Sequence, residues 1–250
     1  MHKFTFPALI ALPLSAKSSS ATHQKPSIRT LFQRCLTALL LLLTAWCVAA
    51  TLDPNTLQQQ LVARFGPARV PLLKDWQQIV ATAKPLADEA KLKRINDFFN
   101  QNVAFDDDIN IWQQSDYWAT PLETIGKGRG DCEDFAIAKY YTLRLAGMPV
   151  SKMRLIYVKA KLKTPTGMIQ QAHMVLAYYA TPNAEPQVLD NLDTTIRAAS
   201  QRSDLQPVFS FNSEGIFAGV SGKEKASAGG TSRLSRWEDL MQRARADGFD

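Results

Sequence analysis

Cysteine and histidine are scarce in this chain, three of each in 250 residues. Cys35, Cys47, His2 and His23 all precede residue 50, so beyond it Cys132 is the only thiol and His173 the only imidazole. A single thiol excludes an intramolecular disulfide. One Cys with one His also falls short of the nitrogen and sulfur set of a structural zinc site. Long apolar runs are missing too: the longest block, Leu36–Ala50, is shorter than the ~20 residues a spanning helix needs. Beyond residue 50 neither sign of charge dominates. Lys3, Lys17, Lys25, Arg29 and Arg34 face no acid in residues 1–50, and taking these five from the 29 basic residues leaves 24 against 23 acidic ones. Five of the six net positive charges therefore sit in residues 1–50, and the rest of the chain lacks the basic excess of a nucleic-acid-binding domain.

What is present at the N-terminus reads as an export signal. Arg29 and Arg34 precede the apolar LTALLLLLTAWCVAA, and Val48 and Ala50 are small residues where a signal peptidase reads. Cleavage after Ala50 and a periplasmic location are the expectation, with a retained membrane anchor as the alternative. Trp46 before Cys47 fits lipid attachment poorly. Residues 1–28 are long for a signal's leading region, and the true start is expected downstream. Residues 51–250 are then one domain, with a mobile Gly/Ser/Lys-rich 221–232 stretch and a C-terminal helix at 235–246.

Within that domain, PNTLQQQLVARFG carries Pro54 at a helix start and Gly66 at its end. Apolar residues from Val70 to Asn102 recur at helical spacing, and Pro85 divides them into two helices. Residues 103–130 read as a long loop. Its FDDD run at 105–108 is a solvated turn on this reading, with cation binding by Asp106, Asp107 and Asp108 as the alternative. After Asp131, CEDFAIAKYYTLRLAG forms a helix with acids in its first turn and Gly147 and Pro149 at its end. Alternating strands follow at 153–162, 170–180 and 186–192. Helices followed by a helix feeding an antiparallel sheet predict an α+β fold.

The run GRGDCEDFA at 128–136 poses a chemical puzzle. Carboxylates beside a thiol raise its pKa and blunt it as a nucleophile. Against that, a helix N-terminus stabilises a thiolate and offers free N–H groups to an oxyanion. His173 on a strand and Asp190 at the end of the next supply a base and an orienting carboxylate, in the order Cys, His, Asp. Each residue taken alone also has a structural reading, as core Cys, strand His and turn Asp.

Taken together, GDCEDFAIAKYYTLRLAGMP, the upstream DYWATPLE, AHMVL and LDNL resemble the bacterial transglutaminase-like cysteine proteases, and among them the periplasmic LapG type. The likeness runs from about Trp76 to Phe217. It implies a papain-like, transglutaminase-core fold with Cys132 as nucleophile, His173 as base and Asp190 as orienter. It also implies Ca2+ dependence, with Asp131, Glu133 and Asp134 as metal ligands, and Trp118 as a contributor to the oxyanion site. A hard cation among these acids would cancel their charge beside the thiol and fix the loop that carries it. The implied substrate is a large RTX-type surface adhesin, cut near its N-terminus at a di-alanine site to disperse biofilm. The implied partner is a LapD-like inner-membrane receptor for cyclic di-GMP that sequesters the protease. Two other classes stay open at the level of sequence: a protein-glutamine transglutaminase, which shares the acyl-enzyme chemistry, and a calcium-responsive binding module whose thiol is dispensable.

Overall fold

A computed structural model describes residues 53–218 and 235–249. Residues 1–50, read from sequence as an export signal, and the 221–232 stretch lie outside these residues. Three helices lead: α1 (Pro54–Phe65), α2 (Val70–Ala83) and α3 (Asp88–Asn102). Asp53 starts α1 by accepting the Asn55 and Thr56 amides, Pro54 occupies the position where no amide is needed, and Gly66 ends it at φ 79°.

Residues 103–130 are more ordered than the loop expected from sequence. They hold β1 (Ala104–Phe105), α4 (Asp108–Trp112), α5 (Pro121–Lys127) and β2 (Arg129–Gly130). The start of α5 is a capping box: Thr120 accepts the Glu123 amide, Glu123 reaches back to the Thr120 amide, and Pro121 follows the cap. β1 and β2 pair in parallel, Ala104 with Arg129 and Phe105 with Gly130. That short ladder brings the FDDD run beside GRGDCED.

Then comes α6 (Cys132–Leu145), buried from Asp134 through Leu143. It is the central helix, and Trp76 of α2 donates its indole N–H to Thr142 at 2.9 Å. Six antiparallel strands form the sheet: β3 (Met153–Thr164), β4 (Gly167–Tyr178), β5 (Gln187–Leu189), β6 (Arg197–Ala198), β7 (Leu205–Asn212) and β8 (Gly215–Ala218), in the order β6-β5-β4-β3-β7-β8. One sheet face packs against the helices in the main core. The other carries a smaller cluster of Ile156, Val158, Val175, Ala177, Tyr179 and Val188. The α+β expectation holds, and three strands, β6 to β8, add to the three read from sequence.

The last helix, α7 (Ser235–Ala246), seats Trp237 and Leu240 in the main core. Buried Glu123 holds it through Arg243 at 2.6 Å and ties it to α1 through Arg64 at 2.7 Å. Among the described residues no helix is long and apolar enough to cross a membrane.

Candidate active site

Cys132 is the first residue of α6, half-buried at the wall of a cavity of about 370 Å3. His173, Asp108, Asp131, Glu133, Trp118, Tyr157 and Met174 line the same space. The thiol donates to Glu133 Oε2 at 2.9 Å. Burial pushes its pKa far above the ordinary thiol value. The charge of Glu133 and its hydrogen bond add to this, and the Met174 amide opposes it.

His173 lies on β4 opposite Val158 and is buried. Its Nε2 meets Asp190 Oδ1 at 2.7 Å, which leaves Nδ1 as the ring nitrogen without that carboxylate. Asp190 follows β5 directly and is held from every side. The Asn191 and Leu192 amides donate to Oδ1 at 2.7 and 3.1 Å. Arg202 Nη2 donates to Oδ2 at 2.7 Å, and the same guanidinium grips Asp204. The main-chain carbonyl of Asp190 accepts from Lys139 Nζ at 3.0 Å and from Asn100 at 2.9 Å. Burial alone would raise the Asp190 pKa, but the His173 and Arg202 contacts outweigh it and hold the carboxyl well below its usual range. Sequence reasoning missed Arg202, Lys139 and Asn100. Lys139 carried one signal, a lysine on the buried face of an otherwise apolar helix.

The acids group differently from the sequence expectation. Asp131 and Asp134 come together with Asp108 from α4, their ligand oxygens within 4.8 Å of one another. The solvated-turn reading fails at Asp108, which is 4% exposed and accepts the Tyr117 amide. Asp106 does behave as a turn residue, pairing with Arg129 at the surface. Glu133 is turned to the thiol and forms a second group with Asp131 and Cys132.

One oxygen each of Asp108, Asp131 and Asp134 is buried with no hydrogen-bond partner. Burial, with repulsion from Glu133 and other neighbouring carboxylates behind it, pushes Asp108 up to about 6, Asp131 up to about 10 and Asp134 well above its usual value. The backbone makes room for this crowding at Gly130, where a Cβ would stand 2.7 Å from Asp134 Cβ. Three carboxylates, Asp108 and Asp134 buried and Asp131 half-buried, each with an unmet oxygen, suit a hard, oxygen-seeking cation.

Trp118 is buried against Phe211, the rings stacked 5.6 Å apart, and lines the cavity. Its indole N–H donates to Asp116 at 3.0 Å, and Asp116 lines the cavity as well.

The chain is similar to known proteins. Residues 74–204 match the family model of the bacterial transglutaminase-like cysteine proteinases. Among solved structures, calcium-bound LapG of Legionella pneumophila is similar at 34% identity with a TM-score of 0.64, over 76% of this chain and 98% of that one. EGTA-treated LapG of the same organism gives 34% identity and a TM-score of 0.64, over 77% and 97%. No curated protein matches the chain.

Proposed function

Because the chain belongs to the bacterial transglutaminase-like cysteine proteinases and is of the LapG type, we propose that it is a calcium-dependent endopeptidase worked by Cys132, His173 and Asp190. The observation that carries this reading is that the α6 N-terminus and mid-β4 bring Cys132 and His173 to one cavity, while the end of β5 sets Asp190 against the His173 ring. His173 Nδ1 takes the thiol proton, and the thiolate attacks a peptide carbonyl. Amides at the start of α6 hold the oxyanion. The imidazolium then protonates the leaving amine, and water, deprotonated by His173, hydrolyses the thioester. Asp190 keeps the imidazole oriented and its charge balanced, and Arg202, Lys139 and Asn100 keep Asp190 in place.

Asp108, Asp131 and Asp134 would hold the calcium ion, with Glu133 near enough to join them when released from the thiol. When bound, the ion would neutralise these acids and fix the loop that presents Cys132. The calcium-bound and EGTA-treated forms of the Legionella protein support calcium as the ion.

The same kinship supports a substrate, a partner and a place. The substrate is a large RTX-type adhesin cut at a di-alanine site near its N-terminus, which releases it and disperses biofilm. The partner is an inner-membrane cyclic di-GMP receptor that sequesters the enzyme. The place is the periplasm, which the basic-then-apolar pattern of residues 29–50 also favours. The test is cleavage of an adhesin N-terminal fragment. Wild type with calcium should cut it, while Cys132→Ala with calcium and wild type with a chelator should not. Cutting by Cys132→Ala would overturn the assignment of the nucleophile.

A further inference from the structure

Beyond the catalytic cavity, β3 runs on past the helices that cover its beginning. Met153 and Leu155 are in the main core, and Tyr157, next on that face, lines the cavity. The following residues on the same face are Lys159, Lys161 and Lys163, all exposed. Ala160, between them, points to the other face and is fully buried. β3 keeps an unbroken register with β4 from Met153 to Thr164, so this alternation does not slip.

The cross-strand neighbours of the three lysines carry no charge. Lys159 pairs with Ala172 on β4 and Gln206 on β7, Lys161 with Gln170, and Lys163 with Met168. Asp204, whose carbonyl accepts the Lys161 amide, has its carboxylate on Arg202. Among the described residues no ion pair involves any of the three. A chain whose domain is close to neutral therefore lays an uncompensated positive row outward from its reactive cavity.

The spacing suggests the occupant. Three residues at alternate positions of a strand span about 13 Å, one charge every ~6.7 Å, and an extended peptide presents alternate side chains at the same interval. A bilayer or duplex surface would be met equally well by a scattered basic patch. A row in strand register that starts at the cavity fits an extended chain already threaded through that cavity.

We propose that Lys159, Lys161 and Lys163 form an exosite for an extended, acidic segment of the substrate polypeptide flanking the scissile bond. The proposal rests on the peptidase reading above for the cavity, and it names the charge class of substrate that cavity serves. The row contributes to capture and register, so it acts on KM and leaves the acyl-transfer steps alone.

The test uses two labelled peptides around one di-alanine core, with Asp or Asn at alternate flanking positions. Binding is read by fluorescence anisotropy on the full-length Cys132→Ala protein with calcium, so that no peptide is cut. The Asp peptide should bind about tenfold more tightly than the Asn peptide, as three exposed charge pairs of roughly twofold each would give. K159A/K161A/K163A should abolish that difference, K161E alone should reduce it, and about 0.5 M salt should erase it. In the active enzyme the triple variant should raise KM for the Asp peptide about tenfold with kcat unchanged. Absent cleavage with intact, lysine-dependent binding would contradict the peptidase reading and still support the exosite. Equal binding of the two peptides, or an Asp preference that survives the triple substitution, would overturn the exosite. So would lysine-dependent binding to phosphatidylserine vesicles without any Asp preference.

Discussion

At the scale of single residues, the site is a contest between burial and compensation. Asp190 is 2% exposed yet stays ionised because His173 and Arg202 share its charge. Arg202→Gln leaves Asp190 Oδ2 without its charged donor, and a buried acceptor stripped of its partner costs about 1–3 kcal/mol. The expected result is a lower melting temperature and a kcat ten- to a hundredfold down, since a displaced orienter misplaces the imidazole. In an Asp190→Asn background the same substitution should cost little further activity, a non-additivity that a purely structural Arg202 would not produce. Lys139 makes the opposite bargain. Burial lowers its pKa to about 7 against the pull of Asp190. The unfolded chain therefore holds that proton more tightly than the folded one, and Lys139 adds a gain in stability as pH rises from about 7 towards 10. Urea unfolding at pH 7 and pH 9 should show wild type gaining on Lys139→Met by on the order of 2 kcal/mol. Parallel behaviour of the two proteins would contradict the buried-cation account.

At the scale of elements, position follows from caps, ladders and latches. Glu123 begins as the capping partner of α5 and ends as the anchor of α7, accepting from Arg64, Arg243 and Tyr117. Glu123→Ala takes the buried carboxylate away from Arg64 and Arg243, which keep Asp247 and Asp239 as partners, and chemical denaturation should report a loss of about 2 kcal/mol. Much of this layer was legible in the sequence. Pro54 and Gly66 bracket α1, Pro85 divides α2 from α3, and the glycine and proline after α6 end it. The α5 capping box was written in TPLE and still read as loop, because a seven-residue helix ahead of GKGRG has too few turns to show a period. β7 was hidden for another reason. Pro207 sits inside it, which argues against a strand, and the structure accommodates it where the β3–β7 register shifts between Tyr157 and Val158. Asp108 was unreadable in kind. A run of three acids looks the same locally whether it is solvated or buried, and only the β1–β2 ladder, a pairing across 25 residues, decides which of the three turns inward.

For the whole molecule, the sheet and central helix set His173, Asp190 and Cys132 on a rigid frame, while the acidic cluster is left with buried, unmet oxygens. Burial of Asp108, Asp131 and Asp134 with unmet oxygens, with repulsion from neighbouring carboxylates behind it, is a standing cost to the metal-free fold, and a ligand that binds only the folded state offsets it by mass action. The melting temperature should therefore rise with calcium and fall with a chelator. The most direct measurement is the calcium affinity of Asp108→Asn beside wild type, by calorimetry on the purified protein, with the melting temperature in chelator recorded for each. The account predicts at least a hundredfold loss of affinity, together with a melting temperature in chelator equal to or above that of wild type, because a like charge has been lifted from the cluster. Undiminished calcium binding by Asp108→Asn would contradict it.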